Sequence, residues 1–235
     1  MAEKIIPLKK TARVAGLLYF SIALAAPFSL LYVPSKTFVN GDARATAEKI
    51  LTHEFLFRSG IVIGMVSTVL FLFVVLLLYK LFKNVNEYQA KLMIALVLVQ
   101  IPIDFLLDTF SITSLMILKG DILKTLDIQQ KQDMAMLFLK IGHYGTLILE
   151  IFWGLWLIPF GQLVYKSGFI PRIFGVFLIL NGIAYMLTSI TFILQPNHQA
   201  LIERYTLPFL FGELAIMLWL LIKGVKDNTH VPTPI

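Results

Sequence analysis

The segment that decides the fold covers residues 140–161 and reads KIGHYGTLILEIFWGLWLIPFG. It is apolar over a length that can cross a bilayer, since one helical crossing takes about 20 residues. His143 and Glu150 lie inside it, two helical turns apart, so their side chains project from one face. Ionisable side chains at such depth are costly and usually face a protein interior or a water cavity. The segment therefore predicts a membrane helix that contributes to a functional site.

The composition of the whole chain also indicates a membrane protein. Of the 235 residues, 58% are hydrophobic and 14% are charged, which is too little polar surface for a water-soluble domain of this size. We predict an all-α fold with a single domain, 1–235, that forms an integral membrane bundle of six transmembrane helices. The predicted crossings are about 12–33, 56–82, 91–118, 134–165, 170–195 and 207–223.

An amphipathic helix is expected before the second crossing. Asn40, Gly41 and Asp42 are turn residues, and Asp42 can cap a helix that starts near Ala43. This helix, 43–58, has apolar residues on one side and charged residues on the other. We therefore predict that it lies at the membrane interface and bends into the second crossing.

The start of the chain has two readings. Charged residues precede an apolar run, which is the layout of a signal peptide. The apolar character continues through Val33 after Pro27, which favours a first helix that stays in the protein.

Charge and cysteine content limit the partners. The net charge is +6, but the basic residues lie in short loops and at helix ends, where lipid head groups and topology explain them. We therefore expect the lipid bilayer as partner and no nucleic acid. The chain contains no cysteine, which excludes thiolate catalysis and cysteine-based metal sites.

The distribution of Lys and Arg predicts the orientation. If both termini lie on one side, that side carries eleven of these residues, and the opposite loops carry seven outside the membrane boundary. This asymmetry favours termini in the cytoplasm. The eleven are Lys4, Lys9, Lys10, Arg13, Lys80, Lys83, Lys91, Lys166, Arg172, Lys223 and Lys226.

The third crossing carries further acids in mid-span. Gln100, Asp104 and Asp108 follow one another at steps of four, so they lie on one helical face. Carboxylates one turn apart repel each other, so such a pair shares a proton, binds a cation or faces a basic residue. If helices three, four and six converge, these acids should meet His143 and Glu150 in one cavity that opens to the outer face. Glu213 would join them from the sixth crossing.

The chain resembles a known family, the uncharacterised bacterial membrane proteins called domain of unknown function 4386. The resemblance covers nearly the whole chain and implies six membrane helices, but it implies no activity. It is carried by Arg13-Val-Ala-Gly-Leu-Leu-Tyr19, Gly41-Asp-Ala-Arg-Ala-Thr-Ala47, Glu54 with Phe57-Arg58, Phe152-Trp-Gly154, Pro159-Phe-Gly161, Ser167-Gly-Phe-Ile-Pro-Arg172, Gly212-Glu213 and Trp219 through Val225.

Glu54 and Arg58 have two interpretations. Four residues apart, they suit an ion pair at the interface. Arg58 can instead reach inward to the mouth of the cavity and neutralise part of its charge. Even so, the buried acids outnumber the bases, which calls for protons, a metal ion or a cationic ligand. The candidate ligand-binding or proton-binding residues are Asp104, Asp108, His143, Glu150, Glu213, Arg58 and Glu54.

Two functional hypotheses follow, beside the structural alternative in which each polar group only bonds a neighbouring helix. In the first, which we prefer, the site binds and transports a proton-coupled or cationic small solute, and the protein is not an enzyme. In the second, the protein is a metal-dependent hydrolase that acts on a lipid or hydrophobic substrate. A divalent metal ion would then be the cofactor, with ligands from Asp104, Asp108, His143, Glu150 and Glu213.

Overall fold

The structure is a computed structural model that describes residues 8–225, apart from the side chain of Leu210. Lys4 and Lys226, which enter the predicted charge count, lie outside these residues. The described chain is helical and contains no strand, which confirms the predicted all-α class. Its α-helices are α1 (Leu8–Pro27), α2 (Val33–Thr37), α3 (Ala43–Thr52), α4 (Glu54–Phe82), α5 (Glu87–Lys119), α6 (Ile128–Ser167), α7 (Arg172–Leu194), α8 (Gln199–Thr206) and α9 (Phe211–Ile222).

All six predicted crossings are present as helices long and apolar enough to cross a membrane. Most extend past the predicted bounds, because polar residues at their ends continue the helix beyond the hydrocarbon-length core. The sixth begins before the predicted Leu207, with a short 3₁₀ turn (Pro196–His198) and α8 preceding a second 3₁₀ turn (Leu207–Leu210) and α9. The spans are Leu8–Thr37, Glu54–Phe82, Glu87–Lys119, Ile128–Ser167, Arg172–Leu194 and Pro196–Ile222.

The chain divides into two compact units. Unit 1 contains Met1–Ser21, Leu70–Gln100 and Leu147–Ile235, and unit 2 contains Ile22–Val69 and Ile101–Thr146. The helices α1, α4, α5 and α6 each contribute residues to both units. The single domain stays a prediction.

Unit 2 includes the predicted capped helix. Asp42 Oδ1 accepts a hydrogen bond from the backbone N–H of Ala45 at 2.8 Å, so Asp42 is the N-cap of α3 as predicted. The amphipathic helix does not run unbroken to Arg58, because His53 leaves the helical conformation (φ −111°, ψ 35°) between α3 and α4. The helix is therefore interrupted at this residue, and its bend into the second crossing at the membrane interface stays a prediction. Ile50 of α3 packs with Val33, Phe57 and Leu115 in the buried core of the unit.

Unit 1 contains a close contact between α6 and α7. A Cβ added at Gly182 would lie 2.7 Å from the carbonyl oxygen of Gly154, and the reverse substitution meets the carbonyl oxygen of Gly182. Gly161 and Gly175 oppose each other in the same way. These glycines therefore let the two helices approach closely, as small residues do in membrane helix interfaces.

Candidate functional site

Glu213 lies in the first turn of α9, and its side chain accepts hydrogen bonds from two other helices of unit 1. The hydroxyl of Tyr19 on α1 donates to Glu213 Oε2. The amide nitrogen Nδ2 of Asn181 on α7 donates to Oε1 at 2.7 Å. The Tyr185 hydroxyl, one helical turn further along α7, is also a hydrogen-bond donor to this carboxylate. Three donors from two helices thus converge on one acid.

Aromatic rings surround the Tyr19 end of this group. The Tyr19 ring centroid lies 6.1 Å from that of Trp156 and 6.1 Å from that of Phe71. Phe71 and Trp156 themselves meet edge to face, with centroids 5.1 Å apart. Tyr19 is 3% exposed and Trp156 is 2% exposed. The hydrogen bonds to Glu213 therefore form beside an apolar cluster that excludes water, where electrostatic interactions are stronger than in solvent.

The Glu213 carboxylate has donors around it but no counter-ion within residues 8–225, where no ion pair joins it to a Lys, Arg or His side chain. A carboxylate inside a membrane segment is either protonated or accompanied by a cation, because an uncompensated charge in hydrocarbon costs several kcal/mol, of the order of 3 on insertion scales. Glu213 is therefore suited to an exchangeable positive charge.

The side chain of Asn181 is unusual in its hydrogen bonding. It is fully buried, and its Oδ1 atom has no hydrogen-bond partner among the described residues. The amide must present its NH₂ group to Glu213, so Oδ1 necessarily points elsewhere. A buried acceptor without a donor is uncommon in native proteins and is explained by a water, an ion or a functional role.

Tyr185 connects Glu213 with Glu150, the acid of the opening sequence segment. Tyr185 interacts electrostatically with both carboxyl groups. Its ring packs edge to face against Trp153, with centroids 5.8 Å apart. Glu150 also interacts electrostatically with Glu203 of α8. The fourth and sixth crossings therefore bring their acids to the same tyrosine.

Unit 2 holds the acids of the third crossing. Asp104 interacts electrostatically with Asp108 and forms a hydrogen bond with the Thr68 side chain of α4. Both carboxyl groups are half-buried.

Gln100 of the third crossing belongs to unit 1 and has a structural role. Its Nε2 atom donates to the backbone oxygens of Leu96 and Phe152, at 2.9 and 3.2 Å.

His143 lies on α6 within unit 2. Its side chain is exposed, and its ring contacts that of Tyr144 with centroids 5.9 Å apart. The role of His143 in a ligand or proton site stays a prediction.

The ion pair between Glu54 and Arg58 is confirmed. Arg58 Nε lies 2.8 Å from Glu54 Oε1, and Lys119 Nζ lies 3.0 Å from the same oxygen. Lys119 was not part of the predicted pair. It ends α5 beside the start of α4, so this network ties together the ends of two helices at the surface of unit 2.

The predicted metal ligands find no support as a set. Among the described residues, no group of three or more His, Asp or Glu side chains is arranged to hold a metal ion. The donors that do assemble around Glu213 are hydroxyl and amide N–H groups, which bind anionic oxygen and do not ligate a cation through those hydrogens.

Sequence reasoning missed the residues that contact the acids. Tyr19, Asn181, Tyr185 and Thr68 were not among the predicted site residues, although each is a polar side chain inside an apolar span. Polar side chains in membrane helices commonly form hydrogen bonds to neighbouring helices. Applying that rule to neutral residues, as well as to ionisable ones, would have selected them.

These features define a protein of six membrane-length helices with a carboxylate held by neutral donors inside unit 1. The chain belongs to the family described as Domain of unknown function (DUF4386), whose profile matches residues 14–224. An uncharacterised protein of Archaeoglobus fulgidus is 34% identical over 84 residues, which are 36% of this chain and 49% of the relative. The chain thus spans about half the length of the curated relative that it matches. No solved structure matches the chain at a significant level.

Proposed function

We propose that the chain is a membrane protein that binds an exchangeable proton or a small cationic solute at Glu213 and transports it in a proton-coupled manner. The observation that carries this proposal is the Glu213 carboxylate, which accepts hydrogen bonds from Tyr19, Asn181 and Tyr185 and has no cationic partner in the described part of the chain. Three neutral donors leave the positive charge to be supplied by a ligand.

Tyr185 provides a route for a proton between two acids. A tyrosine hydroxyl is both a donor and an acceptor, so it can pass its proton to one carboxylate while it takes up a proton from the other carboxyl group in its protonated form. Its interactions with Glu213 and Glu150 fit that role. In this proposal Glu213 is the binding acid, Glu150 is the next acid on the path, and Tyr185 transfers the proton.

Asp104 and Asp108 form a second acidic pair that we assign to the same transport function. Two carboxyl groups that interact with each other take up protons or a cation in turn. Thr68 holds Asp104 through its hydroxyl group. His143 lies two helical turns before Glu150 on α6, and Arg58 with Glu54 lies at the start of α4.

We further propose that the protein resides in the cytoplasmic membrane of a bacterium, with both termini in the cytoplasm and the acids accessible from outside. The excess of Lys and Arg on the side of the termini supports this orientation.

A flux measurement tests the proposed function. The protein is reconstituted in liposomes that contain a pH-sensitive dye, a membrane potential is imposed with potassium and valinomycin, and methylammonium is added as a probe cation. We expect the wild type to show proton flux or methylammonium-dependent proton exchange that Glu213→Gln abolishes and Tyr185→Phe reduces. The matched control is Glu87→Gln, which removes an exposed acid at the start of α5 that pairs with Lys91.

Equal fluxes for the wild type and Glu213→Gln would contradict the proposal. Folding of each variant is checked by gel filtration and circular dichroism before reconstitution, so that a loss of flux reflects the site and not the loss of the helices.

A further inference from the structure

A basic groove lies between the start of α1 and the end of α9 in unit 1, away from Glu213. Its cavity volume is about 650 Å³, within the roughly 300 to 1,000 Å³ typical of small-molecule sites. Three cations line it, Lys9, Lys10 and Arg13. No Asp or Glu occurs among the lining residues that the structure describes. The groove therefore carries a concentrated positive charge.

Two of the three cations, Arg13 and Lys9, lie close to the end of α9. Arg13 Nη2 donates to the backbone oxygen of Ile222 at 3.2 Å, so it satisfies one of the carbonyl groups left free at the helix C-terminus. A Cβ added at Gly224 would lie 3.1 Å from Lys9 Cγ, so the chain that leaves α9 passes directly over Lys9. The guanidinium of Arg13 has further N–H donors to offer. These contacts distinguish the groove from basic residues that only determine topology.

The other walls of the groove are apolar. Val14 and Leu17 continue the α1 wall one and two turns beyond Lys10, and Ile222 belongs to the α9 wall. All three side chains are exposed. The two helices touch beneath them, because a Cβ added at Gly16 would clash with the backbone of Leu221. The groove thus passes from charged to apolar over one helical face.

We propose that this groove binds a phospholipid with an anionic phosphate headgroup. The phosphate would lie against Lys9, Lys10 and Arg13, where charge-assisted hydrogen bonds to phosphate oxygens are strong. The acyl chains would follow Val14, Leu17 and Ile222 into the bilayer. A basic cluster at the end of a membrane helix attracts anionic lipid, and the apolar walls favour a lipid over a soluble phosphate. The site is independent of the function proposed for Glu213.

Native mass spectrometry of the full chain released from detergent micelles tests the proposal. Dioleoylphosphatidylglycerol and dioleoylphosphatidylcholine are added at equal concentration, and the retained lipids are counted for each variant. We expect the wild type to retain one phosphatidylglycerol in preference to phosphatidylcholine. Each cation near an anionic lipid contributes about fivefold in affinity, so we expect K9Q/K10Q/R13Q to lose that preference by at least about tenfold.

The matched control is K80Q/K83Q/K166Q, which removes the same charge from exposed positions of unit 1 outside the groove. The control should keep the wild-type preference for phosphatidylglycerol. An equal loss of this preference in the control would contradict the proposal, because it would show that only the total charge of the protein matters. Leu17→Trp fills the apolar wall without removing a cation and should also reduce retention. Unchanged retention of phosphatidylglycerol by Leu17→Trp would overturn the proposal. This result does not depend on whether the triple variant folds.

Inorganic phosphate is the third arm of the experiment. We expect millimolar inorganic phosphate to leave the retained phosphatidylglycerol in place, because it cannot replace the apolar contacts. Complete displacement by inorganic phosphate would assign the groove to a soluble phosphate group and overturn the lipid assignment.

Discussion

Gly154→Ala should destabilise the protein, whereas the same substitution at Gly142 on the same helix should not. At Gly154 the new Cβ would meet the carbonyl oxygen of Gly182 and lie 2.7 Å from Met186 Cγ. At Gly142 its only neighbour within 4 Å would be the backbone oxygen of Leu107 at 3.8 Å, an ordinary contact. The first substitution must therefore push α6 away from α7, and the second fits the available space.

The size of the difference follows from two opposing effects. Alanine is favoured over glycine inside a helix by about 1 kcal/mol. Overpacking a close contact costs about 1 to 3 kcal/mol. Gly142→Ala should thus stabilise by up to about 1 kcal/mol, and Gly154→Ala, which has the same helical gain but also the overpacking cost, should destabilise by up to about 2 kcal/mol. A gap of about 2 kcal/mol corresponds to roughly thirtyfold in the unfolding equilibrium.

The assay is equilibrium unfolding in mixed micelles of dodecyl maltoside and sodium dodecyl sulfate, followed by tryptophan fluorescence. Gly182→Ala should behave like Gly154→Ala, since its Cβ would meet the carbonyl oxygen of Gly154. The double variant should cost less than the sum of the two, because one separation of the helices relieves both clashes. If Gly154→Ala proved as stable as Gly142→Ala, the close approach of α6 and α7 would be refuted.

Three further predictions concern the cap, the site and the orientation. Asp42→Ala should lower the free energy of unfolding by about 1 kcal/mol through loss of the N-cap of α3, and Asp42→Asn should restore most of it in the same assay. Tyr19→Phe should lower the free energy of unfolding by about 1 kcal/mol, because it removes one hydrogen-bond donor to Glu213, and substitution of the exposed Tyr165 by Phe should lower it less. Equal effects of the two substitutions would show that the bond from Tyr19 to Glu213 does not stabilise the protein. A green fluorescent protein fused after Lys226 should fluoresce, and an alkaline phosphatase fused there should be inactive, whereas the opposite pattern would reverse the proposed orientation.

Local features of the fold were predictable from the sequence. Each crossing is a continuous apolar run, and the free energy of placing it in lipid depends on that run alone. The cap at Asp42 is similarly local, because a short side chain bonds a backbone group three residues later. The interruption at His53 was not predicted, since neither glycine nor proline marks the position.

Contacts between distant segments could not be predicted from the sequence. Tyr19 and Glu213 are 194 residues apart and Asn181 and Glu213 are 32 apart. Helical periodicity shows which residues of one helix share a face, but it does not show which neighbouring helix that face meets. The cost of burying charge identified Glu213 and Glu150 as residues that need partners. It did not indicate that neutral hydroxyl and amide groups would be those partners.

Infrared spectroscopy tests directly whether Glu213 exchanges a positive charge. Infrared difference spectra of the purified protein, recorded between acidic and alkaline buffer and with or without methylammonium, report the carbonyl stretch of a protonated carboxylic acid. We predict a band that responds to both conditions, is absent in Glu213→Gln and persists in the control Glu87→Gln, which removes an exposed acid paired with Lys91. A spectrum in which Glu213→Gln retains every band of the wild type would show that Glu213 holds one state throughout and would contradict its role as the binding acid.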